Sequence, residues 1–318
     1  MTRFVVRIVS VGITVLGAGV ACGQDYPNKP IHIVTGGAGG GSDVVSRQIA
    51  QGISGPLGQP VIVDNRVAIL ARNTVLKAPP DGYTLLVQGS ILWVAPLLEK
   101  APAYDAVNDF SPVALISREV FVLAVHPSLP VKSVKELLAL AKARPGELNY
   151  AITSFGGPPH IAAELFKSMA GVNIVNVPYK STPLAITAMI SGEVQVSTFD
   201  AGLVAPHLKL GRLRGLAVTS AEPSALVPAL PTVAASGLHG FESVTWTGIL
   251  APAKTPATII NRLNQEIVRV LNQSDVKERF LNAGSEIFAS SPEQFAATIK
   301  SETAKVGKII KDAGIRPK

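Results

Sequence analysis

The densest chemical feature of this 318-residue chain is the run Thr35-Gly36-Gly37-Ala38-Gly39-Gly40-Gly41-Ser42-Asp43, set between Ile31-His32-Ile33-Val34 and a helical pattern from Val44 to Ile53. Glycines carry no side chain, so backbone N–H groups can approach a ligand, and the helix start adds partial positive charge. The unit reads as an anion cradle, the alternative being a plain tight turn between strand and helix. Nucleotide fingerprints fail here. A Walker loop needs Lys and then Ser or Thr after its last Gly, where this chain has Ser42-Asp43; in G-x-G-x-x-G the final Gly is replaced by Ser42 or Val44. Ser42 or Asp43 is expected to cap the helix, which makes Asp43 an acceptor of N–H groups rather than a base.

The same logic returns further along the chain. Thr153-Ser154-Phe155-Gly156-Gly157-Pro158-Pro159-His160 joins a strand end to a helix that reaches Met169, with Gly171 marking its stop. Tyr179-Lys180-Ser181-Thr182-Pro183 is a third such junction, and Asp200 ends a fourth strand. Ligands of open α/β sheets lie beyond the carboxyl ends of the strands, so these loops are expected to face one crevice. Lys180 is either its cation or a solvated surface charge.

Catalytic sets are scarce. The five histidines, His32, His126, His160, His207 and His239, form no H-x-H or i,i+4 pair and have no attendant cysteine, so neither a metal nor a cofactor is expected. No G-x-S-x-G elbow occurs. An extracytoplasmic enzyme acting on a small acid, with Asp43, His160 or Asp200 as base, stays open as an alternative to a binding protein, without a visible nucleophile to carry it.

The elements that must position these loops alternate in the manner of βαβ units and largely parallel sheets. A first group of strands is expected at Ile31 to Val34, Val61 to Asp64, Tyr83 to Gln88, Val113 to Ile116 and Val120 to Val125. A second follows at Leu148 to Thr153, Ile174 to Pro178, Val194 to Thr198 and Arg214 to Thr219. Ser133 with Glu136 forms a capping box, and Thr182-Pro183, Thr255-Pro256 and Ser291-Pro292 each place a hydroxyl before a helix-starting Pro. After the Pro- and Gly-rich connection Pro223 to Gly240, Phe241 to Leu250 reads as a strand and Pro256 to Ile315 as mostly helical. The tail is expected to return to the first group, giving one domain from 24–124 plus 243–318, a second from 125–242, and two crossings near Ala124 and Ser243.

Residues 1–23 read as a secretory signal: Arg3 and Arg7 precede the apolar Ile8 to Val20 and the small-residue site Ala21-Cys22-Gly23. A lipid on Cys22 is the alternative. Cys22 is the sole cysteine, so the body is expected to hold no disulfide, and to work in the periplasm. The formal charge of +7 is scattered and not interleaved with stacking aromatics, which argues against nucleic acid and suits small anions. With 47% hydrophobic residues and no apolar run of spanning length beyond the N-terminus, the body is expected to fold as about two soluble domains.

Several motifs together carry a resemblance. They are Tyr26-Pro27-Asn28-Lys29-Pro30-Ile31, the Gly loop with Ser42-Asp43, Pro80 to Leu86, Asp109-Phe110-Ser111-Pro112-Val113, and His126 to Pro130. Further on stand Gly156 to His160, Glu164-Leu165-Phe166-Lys167, Val177-Pro178-Tyr179-Lys180, Leu216-Ala217-Val218-Thr219, Pro231-Thr232-Val233 and Ala304 to Gly314. The mature chain resembles, over essentially its whole length, the Bug-type extracytoplasmic solute receptors of tripartite tricarboxylate transporters. The resemblance implies a type II periplasmic binding protein fold, two α/β domains around a cleft joined by two crossing segments. It also implies a monomeric, non-enzymatic receptor for a small organic acid, docking on membrane permease subunits; a sensor subunit signalling to a membrane partner is the alternative. The ligand positions it implies are Gly39, Gly40, Gly41, Ser42, Asp43, Thr153, Ser154, Gly156, Gly157, Tyr179, Lys180 and Asp200, and Ser90, Phe155, His160 and Ser181 complete the expected set. Three departures stand out. The segment Val67 to Asn73 lacks the family's second Gly-rich loop, Gly36 and Ala38 replace the usual aromatic and Pro of the first, and Ser181 and Ala188 replace a usual Gly and Asp.

Overall fold

A computed structural model describes residues 26–39, 41–153, 156–312 and 314. The expected leader with Cys22 lies outside these residues, as do Gly40, Ser154 and Phe155. The chain begins with β1 (Ile31–Thr35), α1 (Gly41–Leu57), β2 (Val61–Asn65), α2 (Ala68–Leu76), β3 (Thr84–Gly89) and α3 (Ile91–Val94), the last running into a 3-10 turn, Ala95–Leu98. Strand β1 pairs in parallel with both β2 and β3. Helix α1 buries Val45, Ile49, Ile53 and Leu57, a spacing of four that presents one apolar stripe to the sheet.

Next comes β4 (Phe110–Val125), a single strand of 16 residues where two shorter strands were expected. The polar interval Ser117-Arg118-Glu119 does not break it, because alternate residues of a strand face opposite sides and Arg118 and Glu119 leave on different faces while the small Ser117 stays buried. Arg118 Nε meets Glu286 Oε2 at 3.0 Å on one side. Register shifts between Pro112 and Ala114 and between Leu115 and Ser117 absorb the irregularity.

The second group comprises α4 (Val134–Ala143), β5 (Asn149–Ile152), α5 (Pro158–Ala170), β6 (Val175–Pro178), α6 (Thr182–Ile190), β7 (Val196–Asp200), α7 (Ala201–Lys209) and β8 (Arg214–Val218). The chain then returns through β9 (Val244–Pro252), α8 (Ala257–Leu271), α9 (Ser274–Asn282), β10 (Glu286–Ile287) and α10 (Pro292–Asp312). The expected caps form at Ser133, whose Oγ accepts the Glu136 N–H, and at Ser291, which exchanges bonds with Gln294. Two do not. Ser181 takes the cap position of α6 and Pro256 that of α8, while Thr255 Oγ1 turns back to donate to the Pro252 carbonyl.

The strands form one network in the order β2-β1-β3-β9-β4-β7-β5-β6, with β8 and β10 also on β4. The two outer triplets, β2-β1-β3 and β6-β5-β7, are parallel as expected; the centre is antiparallel. Strand β4 carries the chain out and β9 brings it back, so they must run in opposite directions. β4 pairs with β9 and β10 up to Val120 and with β7 and β8 from Phe121 onward, so one strand serves two sheets. At the junction Phe121 N donates to Thr219 Oγ1, and Ser243 N donates to the Thr219 carbonyl.

Three further contacts tie the two sheets. Helix α10 buries Phe295 and Ile299 among Trp93, Trp246 and Leu115, and Val306, Ile309 and Ile310 among Phe166, Phe241 and Leu165. Leu98 packs against Gly156, whose φ is +76°. Gly202 meets Gly284 backbone to backbone, so closely that a Cβ on Gly202 would fall 2.7 Å from the Gly284 Cα. No helix among the described residues is long and apolar enough to cross a membrane.

Helix α10 approaches β9 through Gly248, where an added Cβ would lie 2.3 Å from Phe295 Cζ. Gly248→Ala is expected to destabilise the protein by about 1–3 kcal/mol through overpacking, read as a melting temperature lower by several degrees. A second expectation concerns α5. Burial raises the Glu164 pKa, yet hydrogen bonds from His160, Lys167 and Asn176 outweigh it and hold the carboxyl at about 2 against an ordinary 4.5. A lowered carboxylate contributes stability above its ordinary pKa and loses it as pH falls toward the folded value. Glu164→Gln is therefore expected to melt below the parent at pH 7, with the gap closing between about pH 4.5 and about 2 in thermal scans.

Candidate functional site

The first loop leaves β1 at the buried Thr35, and α1 begins at Gly41. It is locked from within. Asp43 Oδ2 accepts the Gly39 N–H at 2.8 Å, Asp43 Oδ1 accepts from Asn65 Nδ2 at 2.8 Å, and Asn65 Nδ2 also reaches the Gly36 carbonyl at 2.9 Å. Arg47 Nε stands 3.0 Å from Asp43 Oδ1, and Arg47 Nη2 donates to Asn65 Oδ1. The Gly39 N–H, with help from Asn65 and Arg47, holds the Asp43 carboxyl below the usual carboxylate range. Asp43 thus does not cap the first turn from outside: it sits at the third position of α1 and fastens the loop behind it. Gly37 and Gly39 are exposed, and Gly41 begins α1.

In the second loop Gly156 donates its N–H to His160 Nδ1 at 2.8 Å, and His160 Nε2 lies 3.5 Å from Glu164 Oε1. Both ring nitrogens of this buried histidine are engaged, so His160 fixes the turn onto α5. Gly157 is the cap residue of α5 and Pro158 its first residue, leaving the helix start to the space in front of it. Tyr179 turns aside: its hydroxyl donates to Glu193 Oε1 at 2.8 Å, and burial followed by the Glu193 contact pushes its pKa up to about 12. Lys180 is exposed. Asp200 caps α7, Oδ1 accepting the N–H of Gly202 at 2.9 Å and of Leu203 at 3.3 Å. Ser90 accepts the Trp246 N–H on Oγ at 2.8 Å and so braces α3 against β9.

A cavity of about 1420 Å³ opens where these strand ends meet, with Thr153, Thr182, Asp200 and Glu119 on its wall. An inner recess of about 60 Å³ continues from it between Phe121, Thr153, Thr182 and Asp200. Of the expected ligand positions, Thr153 and Asp200 line this cavity, and Gly41 lies at its edge, an added Cβ there being 3.9 Å from Glu119 Oε1. Ser90 and Gly156 instead border a separate space of about 50 Å³ beside α10. Tyr179, Lys180 and Ser181 line none of these three spaces.

Glu119 is the residue that sequence reasoning missed. Burial, and then the charge of Asp200, pushes its carboxyl up to about 7, and no hydrogen bond or ion pair holds it among the described residues. Its signal was a charged pair, Arg118-Glu119, inside an otherwise apolar run. Phe121 and Leu203 were likewise unmarked as wall residues, whereas Thr182 belongs to a junction expected to face the crevice. No group of three or more His, Cys, Asp or Glu among the described residues is arranged to hold a metal.

Comparison with known proteins places this geometry. Residues 45–315 match the model of the tripartite tricarboxylate transporter family receptor, TctC. Protein BugT of Bordetella pertussis is 33% identical over 327 residues, covering 100% of this chain and 99% of BugT. The R. palustris protein Rpa4515, solved with adipate, is 33% identical with a TM-score of 0.73, covering 92% of this chain and 100% of its own. The periplasmic binding protein BugD is 28% identical with a TM-score of 0.69, covering 92% of this chain and 99% of its own. The fold is that of a periplasmic binding protein, and the chain belongs to the tripartite tricarboxylate transporter receptor family.

Proposed function

We propose that the protein is a periplasmic solute receptor that captures a small carboxylate-bearing acid in the cavity at the strand ends and presents it to membrane permease subunits. One observation carries the reading: the ends of β5 and β7, the starts of α5, α6 and α7, and the start of α1 converge on one cavity. Helix N-termini and bare loop backbone favour an anion, and strand ends that converge from two sheets can surround it. The adipate held by Rpa4515 supports the same ligand class. The protein binds rather than transforms its ligand: His160 and Asp43, two of the three candidate bases, spend their polar atoms on the protein itself. The body divides into domains 24–124 plus 243–318 and 125–242, acts as a monomer, and reaches its compartment through a cleaved leader at 1–23.

Thermal unfolding with a panel of mono-, di- and tricarboxylates tests the reading. A ligand at about 100 times its Kd adds roughly 2.7 kcal/mol and raises the melting temperature by several degrees; silence across the panel removes the proposal. A bound acid recovered chemically unchanged separates receptor from enzyme. A variant locates the first contact. An added Cβ at Gly37 meets no atom within 4 Å, so Gly37→Leu should fold with an unchanged melting temperature while its side chain fills the space in front of the loop. Losing even one charge-assisted hydrogen bond of roughly 1.5–3 kcal/mol predicts at least about tenfold weaker binding by calorimetry; unchanged affinity would exclude the first loop from the site.

A further inference from the structure

The cavity combines features that a plain acid would not use together. Among the described residues its charged lining consists of Glu119, Asp200 and Lys209, so two of these three charges are negative. Glu119 comes from the middle of β4, where the strand changes partners, and its Oε1 lies 3.9 Å from where a Gly41 Cβ would stand. An unpartnered carboxylate is thus held against the first residue of α1, where a ligand's own carboxylate is expected to sit. Asp200 faces the same space from the end of β7, one oxygen being committed to the cap of α7. The remaining wall is largely apolar, with Phe121, Leu203, Leu226, Val227 and Leu230.

A second carboxylate on the ligand would meet Glu119 and Asp200, with Lys209 as the one lining cation among the described residues. A partly buried carboxylate without a partner is costly, and a ligand that supplies the missing donor relieves that cost. The donor must also lie close to the ligand's carboxylate, because Glu119 lies close to the start of α1. An α-amino acid has this arrangement: one carbon separates its carboxylate from its ammonium, and its side chain projects away from both.

We propose, building on the receptor reading above, that the cavity selects α-amino acids with apolar side chains. The carboxylate rests at the start of α1, the ammonium at Glu119 and Asp200, and the side chain against the apolar wall. Glu119 is the specificity-determining residue. Discrimination comes as much from repulsion of dicarboxylates as from attraction of the ammonium.

Calorimetry on the full protein with L-leucine, L-phenylalanine, their des-amino counterparts 4-methylpentanoate and 3-phenylpropanoate, and adipate tests this. The amino acids are expected to bind at least tenfold tighter than the des-amino acids, with adipate weakest. Glu119→Gln should weaken the amino acids at least tenfold while leaving the des-amino acids no weaker. Circular dichroism establishes that the variant is folded. A des-amino acid or adipate that binds the parent protein as tightly as the amino acids overturns the selectivity and leaves the receptor reading standing. Absence of binding by all five acids, together with silence across the wider panel, removes both.

Discussion

The shared strand β4 is the constraint on which the rest of the molecule depends. Sixteen residues of continuous ladder pair with β9 and β10 on one side of Val120 and with β7 and β8 on the other. Because the same backbone belongs to both sheets, the start of α1 and the ends of β5 and β7 are brought toward a common space without any long connecting loop. The strand also sets what lies at the base of that space. Its alternation sends Arg118 to Glu286 and leaves Glu119 facing the cavity, so the charge of the wall follows from a register fixed many residues away.

The loops above that base are held with different degrees of self-sufficiency. In the first, Asp43 and Asn65 bind the loop's own polar groups, a preorganisation that lowers the cost of receiving a ligand but withdraws the Gly39 N–H from direct use. In the second, His160 plays the corresponding part from inside α5. Both residues looked chemically capable in sequence because acceptors near glycine turns resemble catalytic groups. Their hydrogen bonds fasten the loops to which they belong. Asp200 sits between the two cases, capping α7 with one oxygen and lining the cavity with its side chain.

The alternation of strand and helix, the parallel triplets and the positions of the Gly-rich junctions were legible because each rests on local pattern: β-branched runs, spacing of apolar residues, and glycine at strand ends. The merger of two expected strands into β4 was not, since a polar interval reads as a break until its partners across the sheet are known. Glu119 was hidden in that interval for the same reason. The direction of some side chains was not legible either. Tyr179 stands where a ligand residue is expected, yet its hydroxyl turns to Glu193, and Ser90 turns to the Trp246 backbone; rotamers of this kind are decided by neighbours distant in sequence. Helix α10, which reads as the tail of the first group, buries its last turns in the second, because an amphipathic stripe does not reveal which sheet will cover it.

The junction of the sheets has a mechanical consequence. Between Arg118 and Val122 the strand has no glycine or proline, its ladder is paired on both edges at Arg118 and Val122 and on one edge at the three residues between, and α10 lies across both cores like a splint. Rotation of one half against the other cannot be concentrated in a slack pivot; it must be taken up as twist along the strand, resisted by the helix and by the bare contact of Gly202 with Gly284. Such a body behaves as a torsion bar. Its restoring torque would reopen the cleft without any outside agent once a partner had drawn the solute away, and the stiffness of that bar, rather than the number of contacts to the solute, would set how long the closed state lasts.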